Sequence, residues 1–476
     1  MKNYDVIVIG AGSTGENVAD RAKAGGLSVV IMESELVGGE CSYWACMPSK
    51  ALLRSGTALR AARRVGGSRE AVTGELDVAA VFARRDSTVH DWSDASQVKW
   101  LDSVGVDLVR GEARITGDRE VTVVGADGFE ETYRARHAVA VCTGSAALLP
   151  DIPGLREAKP WTSREAVSAK VAPDRLAILG GGVVGVEMAT AYAGFGTEVT
   201  LIARSGLLSK EEPFAGELVA TGLEGLGATV LTGVSPTAVA RTGADVVIEL
   251  DDGTSIAADE VLVATGRIPR TAGLGLERVT LNDGGTLHDG EWLDVDDTMR
   301  VRGSDWLYAV GDVNHRVLLT HQGKYQARAA GDVIAARANG LVIDNGAWGR
   351  HAATADHEAV PQVTFSEPEV ASVGLTEAAA REAGYDNIRA VDYNLGWVAG
   401  ASLHAEKYRG RARMVVDENR GVVIGATFVG QDVAELLHAA TVTIVGEVPI
   451  GRLWHAVPAY PTMNEVWLRL LEAYRG

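Results

Sequence analysis

Val6 to Ile9 form an unbroken apolar run that stops at Gly10. A short apolar run ended by glycine predicts a strand buried on both faces. In "YDVIVIGAGSTGENVADRAKAGGLSVVIMES" a glycine turn, a helix and a second apolar strand, Ser28 to Met32 ending at Glu33, follow in order. The same order returns in "RLAILGGGVVGVEMATAYAGFGTEVTLIARS", whose second strand, Glu198 to Ile202, ends at Ala203 and Arg204. The apolar region Leu176 to Gly196 carries Glu187 and several glycines, so it reads as strand–turn–helix and not as a membrane span. The pattern predicts an α/β protein with a doubled βαβ unit and no other repeat.

In the first unit Gly10, Gly12 and Gly15 stand in the order G-x-G-x-x-G directly after the strand. The first glycine permits the tight turn, the second lets backbone N–H groups approach a pyrophosphate, and the third lets helix and strand pack closely. Glu33, at the end of the next strand, is placed to bond ribose hydroxyls. Gly180, Gly182 and Gly185 repeat the device, with Arg204 where the acid would stand and Lys210 a few residues on. An arginine there holds a 2′-phosphate, which predicts NADPH over NADH. The plainer alternative is that Arg204 caps a solvated turn. Two such units predict two dinucleotides: a tightly held flavin and an exchangeable nicotinamide.

The 476 residues are 46% hydrophobic and 23% charged, with 56 glycines, which suits a soluble α/β chain of two to four domains. Forty-five basic residues against 63 acidic ones give a net charge of −18. This predicts neither a nucleic-acid nor a membrane partner. Three cysteines exclude a secreted disulfide framework, and the N-terminus shows no long apolar segment, so a cytoplasmic location is expected.

Two of those cysteines, Cys41 and Cys46, stand in "GGECSYWACMPSK". The residues alone leave three readings: a redox dithiol, a metal clip or two buried small hydrophobes. Zinc would need two further ligands, and no His or Cys pair offers them nearby. An ideal helix rises roughly 7.5 Å over five residues, more than a disulfide spans. One cysteine, expected to be Cys41, therefore sits at a distorted helix start, where the dipole would lower its pKa.

With this stretch included, the chain resembles the pyridine nucleotide-disulfide oxidoreductases, among them dihydrolipoamide dehydrogenase, glutathione reductase and mercuric reductase. "VCTGS" (Cys142 to Ser145, with Thr143 and Gly144) and "VATGRIP" (with Gly266) resemble the family's two connections between FAD and NAD(P) domains. "LYAVGDV" is similar to the segment whose aspartate, here Asp312 after Gly311, bonds the FAD ribityl chain. "PQVTFSEPEVASVGLTE" resembles the start of the interface domain that makes members homodimers.

The resemblance implies two Rossmann-like dinucleotide-binding domains plus a C-terminal α+β interface domain. FAD-binding parts are expected at 1–150 and 272–350, the NAD(P)H domain at 151–271 and the interface domain at 351–476, with Arg337 to His357 as a linker. It also implies that Cys41 and Cys46 form the redox disulfide, Cys46 nearest the flavin and Cys41 meeting the substrate. Lys50 corresponds to the lysine by the flavin N5, and Glu187 to its ion-pair partner. Cys142 is expected in the core. The implied cycle passes hydride from NADPH to FAD, electrons on to the disulfide, and then to a small-molecule acceptor.

The pattern breaks near the C-terminus. Relatives carry His-Pro-Thr followed by a glutamate, the histidine serving the substrate-facing thiol across the dimer. Here "HAVPAYPTMNEVW" keeps Pro461, Thr462 and Glu465 but has Tyr460 at the histidine position. A phenol pKa near 10 against about 6.5 for imidazole separates the two by roughly 5 kcal/mol in proton affinity. Tyr460 is thus expected to donate a hydrogen bond or, if strongly perturbed, to act as a phenolate, and His455 is the other candidate nearby. Tyr43 and Trp44 are expected either to narrow the disulfide pocket and face an aromatic acceptor or to pack against a neighbouring domain. The predicted function is NADPH-dependent reduction of a small disulfide, quinone or similar electrophile. The alternatives are dihydrolipoamide dehydrogenase, a mercuric reductase-like enzyme (although no second cysteine pair stands near "LLEAYRG") and a low-turnover flavin redox sensor.

Overall fold

The computed structural model describes residues 1–476. Five helices position the residues of interest: α1 (Ser13–Ala24), α2 (Gly39–Tyr43), α3 (Cys46–Arg63), α4 (Val183–Gly194) and α5 (Thr320–Ala338). The chain divides into two compact units. One is built from Met1–Pro48, Asp86–Ala147 and Arg267–His357, the other from Ser49–Arg85, Leu148–Gly266 and Glu358–Gly476. The division falls inside α3, after Pro48.

The first unit is organised by a seven-stranded sheet. Its strands β1 (Lys2–Ile9), β2 (Val29–Glu33), β3 (Asp107–Arg110), β4 (Glu112–Gly117), β5 (Glu120–Val124) and β6 (Glu130–Val141) lie in the order β3-β2-β1-β6-β5-β4, and Leu307–Ala309 adds to β6. β1 runs parallel to both neighbours, and Val6, Ile7 and Val8 are fully buried, as an unbroken apolar run requires. α1 packs on β1 and β2 and against α5. Small residues let these helices approach closely. A Cβ added at Gly331 would stand 2.5 Å from the Arg21 Cβ, and one at Gly323 would stand 2.6 Å from the Thr14 hydroxyl.

The second unit repeats the parallel motif with β7 (Arg175–Leu179), β8 (Glu198–Ala203), β9 (Thr229–Thr232) and β10 (Glu260–Val263), ordered β9-β8-β7-β10. α4 is buried nearly all round, from Gly185 to Ala193, which is why its sequence shows no polar face. The same unit holds a five-stranded antiparallel sheet between Pro361 and Gly430. The expected fold class is the one observed: α/β, with two Rossmann-like parallel sheets and a C-terminal α+β part.

Arg337 to His357, expected as a linker, belongs to the first unit and ends where that unit does. Arg337 and Ala338 close α5, and the rest stays in the first unit through local hydrogen bonds. Asp344 N–H donates to His351 Nδ1 at 2.9 Å and Trp348 N–H to Thr354 Oγ1 at 2.8 Å. Polar residues that bond within their own loop look like linker residues in a sequence. No helix is long and apolar enough to cross a membrane.

Candidate functional site

Each glycine turn is built by contacts that exclude side chains. A Cβ at Gly10 would lie 2.5 Å from the Cys142 carbonyl oxygen, and one at Gly15 would lie 1.9 Å from the Gly10 oxygen. At Gly12 the nearest atom to an added Cβ is the Gly39 Cα at 3.9 Å, so this face of the turn stays open. The first N–H groups of α1 point there, as at any helix start. Gly185 meets the Gly180 oxygen at 1.9 Å in the same way, and a Cβ at Gly182 would meet nothing within 4 Å.

Glu33 closes β2 and faces the first turn: its Oε2 accepts from Ala11 N–H at 2.7 Å and its Oε1 from Glu35 N–H at 2.8 Å. Burial raises its carboxyl above the ordinary range against the pull of those bonds. Thr143 follows Cys142 at the end of β6, and its Oγ1 is buried with no hydrogen-bond partner. Gly144 follows at φ 74°, and Cys142 itself is a core residue. Asp312, after Gly311, accepts from the Ser145 hydroxyl at 2.5 Å, with Arg267 Nε 3.8 Å away. Burial raises its carboxyl too, while Ser145 and Arg267 oppose the rise. An open glycine turn, an unpartnered buried hydroxyl and a buried carboxylate suit a ligand bearing phosphates and a hydroxylated chain. The donor set fits FAD.

The cysteines lie on two helices. Gly38 (φ 110°) and Gly39 (φ 58°) turn the chain out of β2 into the short α2, where Cys41 sits. A Cβ at Gly39 would press to 2.8 Å from the Gly12 Cα, which ties this turn to the first glycine turn. α2 ends at Tyr43, and Cys46 begins α3. The helix is therefore broken between the cysteines: Cys41 lies in the first turn of the short α2, after two left-handed glycines, and Cys46 opens the long α3.

Both residues are thiols, and they hydrogen-bond to each other. The Thr320 hydroxyl, at the start of α5, lies 3.3 Å from Cys46 Sγ and also bonds Cys41. The expected lowering of the Cys41 pKa is overturned. The Cys46 sulfur and burial push this thiol well above the ordinary range, while Thr320 and Lys324 pull it down. A five-residue helix carries too little dipole to offset a second sulfur and the loss of water.

Tyr43 is 1% exposed and donates to the Ser93 carbonyl at 3.3 Å, so it is core packing and no platform for an acceptor. Trp44 meets its ring edge-on at 5.7 Å.

Lys50, four residues along α3 from Cys46, pairs with Glu187 of α4 at 2.7 Å. Glu187 is buried, and its Oε1 also accepts from Phe365 N–H at 3.0 Å. Arg204 and Lys210 are exposed in the loop after β8, and Gly266 closes the segment after β10. Tyr460 is 75% exposed, and His455 is exposed as well. Glu465 is buried at the start of the last helix, with Arg469 at 2.5 Å from Oε1 and no partner on Oε2. Thr320, Lys324 and Glu16 escaped the sequence reading. They stand within ordinary helix patterns, and only the packing of α1 on α5 relates them to the cysteines.

A family model described as pyridine nucleotide-disulphide oxidoreductase matches residues 4–330, and the dimerisation domain of that family matches residues 360–470. The chain belongs to the pyridine nucleotide-disulphide oxidoreductases. As a member of this family it is an NAD(P)H-dependent, FAD-binding flavoprotein oxidoreductase, and the close Cys41–Cys46 pair matches the family's redox-active centre.

The mercuric reductase of Staphylococcus aureus is 32% identical over 470 residues, covering 97% of this chain and 81% of that protein. The mercuric reductase of Streptomyces lividans is 33% identical over 472 residues, with 97% and 94% covered. A dihydrolipoyl dehydrogenase of a Synechocystis species is 31% identical over 493 aligned residues, with 99% and 98% covered. Among solved structures, the Cu(II) complex of the HOCl-induced flavoprotein disulfide reductase RclA of Escherichia coli superposes with a TM-score of 0.83 at 23% identity over 99% of each chain. LpdA of Mycobacterium tuberculosis gives 0.82 at 23% identity, again over 99% of each chain. At this identity the two superpositions show a shared fold and nothing more.

Proposed function

We propose that the chain uses NADPH to keep the Cys41–Cys46 pair reduced and that this dithiol reduces a small disulfide, quinone or related electrophile. The observation that carries the reading is the thiol pair itself, in mutual hydrogen-bond contact and bridged by Thr320. Gly10, Gly12, Gly15, Glu33, Thr143, Gly144, Gly311 and Asp312 are the residues we assign to holding FAD. Bound FAD supplies the two-electron acceptor that a nicotinamide hydride requires and on which a disulfide draws. Gly180, Gly182, Gly185 and Gly266 are assigned to NADPH, and Arg204 and Lys210, two exposed cations in the loop after β8, support preference over NADH, since a cation there can pair with a 2′-phosphate.

Towards a disulfide acceptor, the Cys41 thiolate attacks one sulfur and displaces the other as a thiol. Cys46 then attacks the mixed disulfide, releases the second thiol and closes the Cys41–Cys46 bond. Two electrons and two protons leave the dithiol per turnover. A quinone takes the same electrons and protons and leaves as the hydroquinone. The Lys50–Glu187 pair ties α3, the helix that Cys46 begins, to α4. Tyr460 offers a phenolic donor, and we assign Glu465 to supporting its segment.

A second reading, mercuric ion reduction, is favoured by the names of two relatives. Against it stands the third cysteine, Cys142, which is buried in the core and leaves no second thiol pair to hand on a metal ion.

Purified holoprotein tested with NADPH and NADH against naphthoquinones, glutathione disulfide, lipoamide and mercuric ion separates these cases. Cys41→Ser and Cys46→Ser are each expected to lower turnover of the preferred acceptor by about a hundredfold or more. Unchanged turnover of every acceptor in both variants overturns the reading, and selective turnover of mercuric ion establishes the second one.

A further inference from the structure

His90, Asp91 and Trp92 form a left-handed turn, with φ of 52°, 50° and 57° in succession. A residue with a Cβ is crowded in that region, and a bulky aromatic most of all. His90 and Asp91 are exposed, so burial does not impose the conformation. The bonds inside the turn do not explain it either. Trp92 N–H donates to the Val89 carbonyl at 3.0 Å and Ser93 N–H to the His90 carbonyl at 2.9 Å, and a right-handed turn makes the same pattern. Unfavourable backbone of this kind persists where the surrounding contacts require it.

Those contacts run to the helix that carries Cys41. The Trp92 indole N–H donates to the Tyr43 carbonyl at 3.2 Å, and the Tyr43 hydroxyl donates to the Ser93 carbonyl at 3.3 Å. Asp94 Oδ2 accepts from Val37 N–H at 2.8 Å and also from Arg110. Tyr43 closes α2 and Val37 precedes it, so three consecutive residues hold both ends of this five-residue helix. A helix so short cannot satisfy its last carbonyls internally, and Val37 is fully buried, where an N–H needs a partner. The Trp92 bond falls beside the break that separates Cys41 from Cys46.

We propose that Trp92 and Asp94 are positioning residues of the dithiol: by pinning the two ends of α2 they hold Cys41 within bonding reach of Cys46 and so set how readily the pair closes. The inference rests on the dithiol reading and adds what tunes that pair. Closure forms the Cys41–Cys46 bond and releases two electrons and two protons. Oxidised dithiothreitol takes both as its own S–S bond breaks, and becomes the dithiol. Thiols held in reach close at a higher effective concentration than thiols on a helix free to drift.

The test equilibrates anaerobic holoenzyme with dithiothreitol buffers of graded ratio at pH 7, quenches with iodoacetamide and counts free Cys41 and Cys46 by mass spectrometry. Trp92→Phe keeps a ring and removes the indole N–H, and Asp94→Ala removes the acceptor for Val37. Each is expected to lower the closure equilibrium by about three- to tenfold, an upward shift of the couple's potential by about 14 to 30 mV. Asp94→Asn keeps an acceptor and retains the wild-type equilibrium; a shift there as large as in Asp94→Ala overturns the role given to the Val37 bond. If Trp92→Phe and Asp94→Ala lower the melting temperature but leave the equilibrium unmoved, the turn is structural only and the proposal is overturned. Should Trp92→Phe fail to fold, Asp94→Ala decides alone. If wild type forms no Cys41–Cys46 disulfide at any ratio, it is the dithiol reading that fails instead.

Discussion

At the scale of single residues, covering a charge matters more here than pairing it. Glu369 is half-buried beside Asp432, Glu367 and Arg54, with a weak bond from Ala434 N–H at 3.4 Å, and burial pushes its carboxyl up to about 7. The folded state therefore holds this proton more tightly than the unfolded chain, whose carboxyl ionises near its usual 4.5. Stability linked to Glu369 is fully present below that lower value and is lost as pH rises through about 7. Glu369→Gln keeps an acceptor and removes the charge. It is expected to raise unfolding free energy by about 2–3 kcal/mol at pH 8 and leave it nearly unchanged at pH 4, measured by urea denaturation. A variant equally stable to wild type at both values contradicts this account.

Among elements, the glycine turns separate positions that build the fold from positions that leave room. Gly182 has an ordinary φ of −81°, and no atom lies within 4 Å of an added Cβ. On the proposed assignment, Gly182→Ala is expected to fold normally, with unchanged circular dichroism, and to raise the KM for the nicotinamide nucleotide by about tenfold, because a methyl would crowd the pyrophosphate this turn is proposed to hold. Gly185→Ala meets the Gly180 carbonyl at 1.9 Å and is expected to lose folded yield altogether. Equal effects of the two substitutions would show that the open face is not a ligand approach. The break between α2 and α3 belongs to this scale as well. The C-x4-C spacing demanded it, while the side on which each cysteine fell depended on the glycine turn at Gly38 and Gly39.

For the whole molecule, the dimerisation domain places an expectation on mass. Within residues 360–470 the side chains of Trp397, Leu403, Val442, Val457 and Tyr460 are 55% to 85% exposed. The match to the family's dimerisation domain, and not their exposure alone, makes these side chains candidates for the interface. Sedimentation equilibrium is expected to give twice the 50.0 kDa of the chain, and the double substitution Val442→Arg with Val457→Arg to shift the protein towards monomer. A wild-type monomer at micromolar concentration rules the dimer out.

Both glycine turns, the doubled parallel unit, the dithiol spacing and the family were legible in the sequence because each depends on residues close together along the chain. Glycine cannot be exchanged where backbone meets backbone, and an apolar run ended by it leaves a strand few other choices. The electrostatic setting of the dithiol was not legible. Thr320, Lys324 and Glu16 lie far from Cys41 in the chain, and nothing in their local pattern marks them. Tertiary packing alone put α5 against α1, buried the sulfurs beside each other and turned an expected fall in the Cys41 pKa into a rise. Charge and solvation sum over everything nearby in space, so they are settled only when the chain has folded.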